Sequence, residues 1–138
     1  MTQQPASDDS SLEQLEGDVW GDPAPGATDL VARVHRLRRK PVGALTAEDL
    51  RMLVAQQVGL DILVPRTLIR LERDPLLEGD YYPGDVLVAT LKAPVSYWSA
   101  HPDQLARLDS VVASVAEPDV DLTRDIDAFR ERTRGIGR

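Results

Sequence analysis

The stretch from Leu37 to Leu91 constrains the fold more than any other part of the chain. It is dense in apolar residues, yet proline repeatedly cuts it into short pieces. Its clearest local signal is Leu45-Thr46-Ala47-Glu48-Asp49-Leu50. Thr46 stands where a helix needs a capping hydroxyl. Asp49 takes the capping-box position three residues on, where Glu or Gln is usual. Leu45 and Leu50 have the spacing of a hydrophobic staple. Leu50, Leu53, Val54 and Val58 continue one apolar stripe to Gly59, which makes this segment a helix. Leu60 to Val64 is a short apolar run. Pro65 then fits the first turn of a helix through about Arg73, with Leu68, Ile69 and Leu71 as its buried face. Asp74-Pro75 ends it.

The same reasoning extends outward. Residues 1–9, rich in Gln, Ser, Asp and Pro, are expected to form a disordered tail. Ser10 with Glu13 fits a capping box on a short helix that Gly17 stops. Pro23 and Pro25 mark a turn region. Thr28 can cap a helix whose stripe is Leu30, Val31, Val34 and Leu37. Downstream, Pro83-Gly84-Asp85 opens a new segment, with Asp85 near the N-cap. Val86 to Leu91 has strand composition, and periodicity alone permits strand or helix. Pro94 closes it. His101-Pro102 opens a strong helix carrying Leu105, Leu108, Val111, Val112 and Val115, broken at Glu117-Pro118. Asp121 can cap a last helix with Leu122, Ile126 and Phe129 buried. The expectation is an all-α fold of six or seven helices, with residues 10–138 as one small helical domain. At 138 residues, with six aromatics, its core must be built mainly from Leu, Val and Ala.

The composition narrows function. There is no cysteine, so there is neither a disulfide nor thiolate chemistry. No signal peptide begins the chain and no apolar run reaches membrane-spanning length, so a cytoplasmic protein without a membrane partner is expected. The net charge of −7 repels nucleic acid and attracts basic partners. His35 lies in a basic run and His101 precedes a proline; neither has the neighbours of a nucleophile–base set. No histidine pair has ligand spacing, no calcium loop is present and no glycines form a phosphate cradle. An enzyme, a metal site and a bound cofactor are therefore not expected. The cluster Arg33, Arg36, Arg38, Arg39 and Lys40 reads better as a solvated helix end than as a nucleic-acid patch, because no aromatic interleaves it.

Two surfaces are candidates for binding a protein. One is the loop Glu78 to Asp85, where Asp80, Tyr81, Tyr82 and Asp85 set aromatic anchors beside carboxylates. A purely structural reading of this loop, with Pro-Gly as a turn and Asp85 as a cap, carries equal weight. The other is the acidic series Glu117, Asp119, Asp121 and Asp125, which more simply supplies charge to a helix N-terminus. Trp20 and Trp98 read as core plugs rather than interface anchors.

A pattern spread over Ser11 to Val112 resembles the immunity proteins of contact-dependent growth inhibition (CDI) systems. It is carried by Leu12, Glu16, Gly17, Asp18 and Trp20, then Arg38, Pro41, Glu48, Asp49, Leu50 and Arg51. It continues through Gly59, Pro65, Gly79, Asp80, Tyr82, Pro83, Gly84 and Asp85 to Trp98. The resemblance implies a helical protein, with Val86–Leu91 helical. It also implies a cognate toxin domain, encoded alongside and bound in the cytoplasm, whose active site or substrate access the protein blocks by stoichiometric binding. A monomer in a one-to-one complex fits best. Many such toxins are nucleases with basic grooves, which an acidic inhibitor suits. The segment after Glu117 departs from the pattern. Because immunity proteins diverge with their toxins, the shared residues are expected to encode the fold. The alternative reading is a non-enzymatic adaptor or regulator of a secretion system.

Overall fold

The computed structural model describes residues 8–138, so most of the expected N-terminal tail, residues 1–7, lies outside the described residues. The described residues form eight α-helices and one 3-10 turn, with no β-strand among them. The expected all-α fold is what the structure has, with one helix more than the sequence announced.

Helix α1 is Leu12–Glu16 and α2 is Asp29–Leu37. The capping box on α1 lies one residue later than expected. Ser11 accepts from the Gln14 N–H, and Gln14 accepts from the Ser11 N–H. The shift turns Leu12 fully into the core and leaves Glu13 to face Arg39. Thr28 caps α2 as expected. Of its stripe, Val34 and Leu37 are buried, whereas Leu30 and Val31 are exposed.

After a 3-10 turn, Val42–Ala44, comes α3, Ala47–Ala55. Here the expected box is present: Thr46 accepts from the Asp49 N–H at 3.1 Å, and Asp49 accepts from the Thr46 N–H at 3.0 Å. Asp49 also takes Lys40 at 2.7 Å. Burial alone would push its carboxyl up; the Lys40 and Thr46 hydrogen bonds outweigh this and hold it below its ordinary value.

Helix α4 runs Leu60–Arg73, with Pro65 inside it rather than in its first turn. An interior proline removes a ladder hydrogen bond and costs about 3 kcal/mol. Leu63, Val64, Leu68 and Leu71 are all fully buried on this helix, and each such side chain contributes about 1.5–3 kcal/mol. Burial therefore wins, and the run before the proline joins the helix. Ile69, expected on the buried face, is exposed instead.

Helix α5, Asp85–Leu91, resolves the strand-or-helix ambiguity. All seven of its residues are buried, so it shows no polar face from which a period could be read. It packs against α3, α4 and α8. Helix α6, Val95–Ala100, is the unanticipated one. It is a single short turn-and-a-half started by Pro94, and it carries Tyr97 and Trp98 inward. Helix α7, Pro102–Ala113, buries Leu105, Leu108, Val111 and Val112 as expected. Helix α8, Val120–Arg132, buries Leu122, Ile126 and Phe129. Its cap is Asp119, which accepts from the Leu122 N–H at 2.8 Å, so Asp121 falls in the first turn instead.

Two apolar clusters result. Leu12, Val34, Leu37, Val42, Leu45, Leu50, Leu53 and Leu63 join α1, α2, α3 and α4. Val64, Leu68, Leu71, α5, Trp98, α7 and α8 form the other. Helix α4 stands between them, giving Leu63 to one side and Val64 to the other.

Candidate functional site

The loop between α4 and α5 is built around two buried carboxylates. Asp85 accepts the Gly79 N–H at 2.6 Å, the Tyr81 N–H at 3.0 Å and the Tyr82 N–H at 3.4 Å. Glu48, projecting from α3, accepts the Asp80 N–H at 2.9 Å. Four successive backbone donors thus converge on two anions. Such donors must find partners wherever water is excluded, and a carboxylate serves several at once. Gly84 occupies a left-handed conformation, φ 93°, and is the N-cap of α5. Asp85 is therefore not the helix cap the sequence suggested; it is the first helical residue, and its side chain organises the loop. Gly79 is fixed by space, because a Cβ there would lie 2.6 Å from the Glu48 carboxylate.

Arg51, one helical turn from Glu48, neutralises this arrangement. Its guanidinium grips both Glu48 oxygens, at 2.7 and 2.5 Å, and lies 4.6 Å from the centre of the Tyr81 ring. The Arg51 hydrogen bond holds the Glu48 carboxyl below its ordinary value against the opposing effect of burial, and the Asp80 N–H assists. The loop faces outward with Asp80 exposed, Tyr81 68% exposed and Tyr82 48% exposed. Asp85 is turned inward and offers no surface.

Tyr82, Pro83 and Gly84 form one wall of a groove of about 480 Å³. The opposite wall is the start of α8 and the segment before it: Glu117, Pro118, Asp119, Asp121, Arg124 and Asp125. Residues 82–84 of the loop and the acidic Glu117–Asp125 segment, which the sequence offered as separate candidates, thus meet across one groove, while the loop carboxylates Asp80 and Asp85 stay out of its lining. Burial, followed by the charges of Asp125 and Asp85, pushes the Tyr82 phenol above its ordinary value, so the ring remains a neutral hydrogen-bonding wall. Asp80 and Tyr81 stand on the loop beside the groove rather than in its lining. The sequence reading missed Glu48, Arg51 and Arg124. Glu48 and Arg51 were visible only as residues of the family pattern and through their three-residue spacing on a helix.

Four of the five residues of the basic cluster, all but the exposed Arg36, are paired within the chain. Arg38 is fully buried: it donates to the Asp18 carbonyl at 3.0 Å and to Glu16 at 2.5 Å, and it lies 4.1 Å from the Trp20 ring centre. Arg39 binds Glu13, Asp22 and the Gly21 carbonyl. Lys40 and Arg33 pair with Asp49. The expected solvated helix end is found at the exposed Arg36 and Arg39 but not at Arg38, which is buried and clasps the chain at residues 16–20. Trp20, expected in the core, is 43% exposed on that clasp, while Trp98 is wholly buried as expected. His35 meets the Gly21 carbonyl at 3.1 Å and the Trp20 ring edge-on. His101 stacks on Tyr97 and contacts the Tyr97 carbonyl at 2.9 Å. Among the described residues no group of three or more metal-ligating side chains is gathered, and no helix is long and apolar enough to cross a membrane.

No curated protein matches the chain. The family model described as CDI immunity proteins matches residues 14–108. That span covers well over half of the sequence, includes Glu48, Arg51 and the whole Gly79–Asp85 loop, and stops before the acidic wall of the groove at Glu117. The chain belongs to the family of CDI immunity proteins.

Proposed function

We propose that the protein neutralises one cognate toxin domain by one-to-one binding, without turning over a substrate, and that the toxin presents a basic surface to it. The observation that carries this reading is the convergence of the Gly79–Asp85 loop and the Glu117–Asp125 segment on one groove, beside two exposed tyrosines. The loop is already satisfied internally by Glu48 and Asp85, so little ordering entropy remains to be lost when Tyr81 and Tyr82 meet a partner. Tyrosines at the centre of an interface supply large contact area, and surrounding carboxylates steer a basic partner inward. With a net charge of −7, the protein gains association rate from that field. A toxin with a basic substrate groove, as a nuclease has, fits this charge, and covering that groove would exclude its substrate. Binding takes place in the cytoplasm of the protected cell.

The test is co-expression with the toxin domain encoded beside this gene, together with calorimetry of the purified pair. Restored growth and a stoichiometry of one are expected. Unchanged killing despite abundant folded protein would rule out the immunity role for that pair.

A further inference from the structure

The groove beneath Tyr82 has two chemically different parts. Its floor is aliphatic, made by the buried Val88 and Leu122 with the exposed Leu76 beside them, and its rim carries Glu117, Asp119, Asp121 and Asp125. Arg124 is the one cation among the described residues that line it. Its guanidinium lies 3.2 Å from Asp121 and 3.9 Å from Asp125. The Arg124 side chain is largely exposed, whereas that of Asp125 is mostly covered.

An aliphatic floor under a carboxylate rim matches the two-part chemistry of a long basic side chain. The methylene stem packs on the floor while the charged head reaches the carboxylates. A polyanion would be repelled by the rim, and a small cation would leave the floor bare. Arg124 supplies only the second half of this match, because it approaches from the rim and stays in solvent. An exposed pair of this kind contributes little stability, so it can be exchanged at small cost.

We infer that the groove is a subsite for a Lys or Arg side chain of the toxin, and that Arg124 is an intramolecular stand-in displaced when that side chain enters. This rests on the toxin-binding reading above and specifies what one part of that surface takes. Its consequence runs against simple contact counting: removing a charged residue from the interface improves binding. While Arg124 screens Asp121 and Asp125, it weakens the field an incoming cation meets.

The experiment measures association with the toxin domain encoded alongside, at several salt concentrations, for the wild type, Arg124→Gln and the double variant Asp121→Asn/Asp125→Asn. Arg124→Gln is expected to associate about two- to fivefold faster, with a steeper salt dependence. The double variant is expected to bind about tenfold or more weakly, with a shallower one. Arg124 and Asp121 are on the surface and Asp125 is half-buried, so matched melting curves are required to confirm that the variants remain folded. A six-residue arginine peptide titrated into the isotope-labelled protein gives a second readout. Saturable shifts at Leu76, Val88 and Leu122 that vanish in the double variant support the subsite. An Arg124→Gln variant no faster than wild type, a double variant equal to wild type, or no peptide shifts at the groove would overturn it. If the wild type binds and protects while the variants behave identically, the subsite is wrong and the immunity reading stands. If the wild type does not bind the toxin, both fall.

Discussion

Two loops in this protein are held by the same device with opposite charge. At residues 16–20, a buried cation, Arg38, captures chain oxygens: the Asp18 carbonyl and the Glu16 carboxylate. At residues 79–82, two buried anions, Glu48 and Asp85, capture four backbone N–H groups. Each arrangement presents aromatic rings at the surface and sets a guanidinium beside one, Arg38 at Trp20 and Arg51 at Tyr81. They differ in what lies next to them. The Arg38 clasp is surrounded by ion pairs that use up its neighbours, Arg39 with Glu13 and Lys40 with Asp49. The Glu48–Asp85 loop borders a groove whose carboxylates outnumber its single arginine. Buried charge fixes both loops, but only one is left beside a charged surface that a partner could use.

The comparison is broken most severely by Asp85→Ala. It strips three backbone donors of their acceptor, and buried unsatisfied groups cost about 1–3 kcal/mol each. A loss of about 3 kcal/mol or more in a denaturant melt is expected, together with loss of toxin affinity. Arg38→Met should cost about 2 kcal/mol, because the Asp18 carbonyl loses its donor while the methionine refills part of the volume. Its toxin affinity should be unchanged in the fraction that is folded. If Arg38→Met weakened binding as much as Asp85→Ala, the functional distinction between the loops would be lost. Gly79→Ala follows in size. The new Cβ would press on Glu48, at a cost of about 1–3 kcal/mol, with weakened binding because the tyrosines shift.

Acid should separate the loops as well. The Glu48 carboxyl is held below its ordinary value of 4.5. A depressed folded value means that its contribution to stability is fully present above about pH 4.5 and is lost as pH falls through the lower folded value. The Arg38 clasp rests in large part on the Asp18 backbone carbonyl, which takes up no proton in this range. Loosening at Tyr81, followed by NMR of the loop amides, should therefore precede any change at Trp20 as pH falls below about 4.5. Simultaneous change at both would contradict separate anchoring. The smallest effect is expected for Trp20→Ala, which removes a partly exposed cation–π contact. A loss of about 0.5–1 kcal/mol should follow, with no change in protection from the toxin.

Legibility of the sequence follows physical contrast. Helix α3 could be read because its cap, box and staple all lie within six residues. Helices α7 and α8 could be read because their buried residues recur at helical spacing against polar neighbours. Helix α5 could not, since burial on every side erased the contrast that reveals a period. Helix α6 was too short to show one, and the proline in α4 was overruled by packing that only the tertiary fold supplies. The same holds at the candidate site. The chemistry of Asp80, Tyr81 and Tyr82 and of Glu117 to Asp125 was readable segment by segment, but their meeting across a groove was not. Glu48 reaches Asp80 over 32 residues and Arg38 reaches Asp18 over 20, and nothing local marks either residue as a future buried anchor.

On the proposed function, the toxin covers the loop held by Glu48 and Asp85 and leaves the loop held by Arg38 free. Hydroxyl-radical footprinting of the protein with and without the toxin domain tests it most directly, because each loop carries its own reactive, exposed aromatic reporter: Tyr81 and Tyr82 on one, Trp20 on the other. Toxin binding is expected to protect Tyr81 and Tyr82 strongly from oxidation and to leave the oxidation rate of Trp20 as it is in the free protein. Protection of Trp20 with undiminished oxidation of both tyrosines would contradict it.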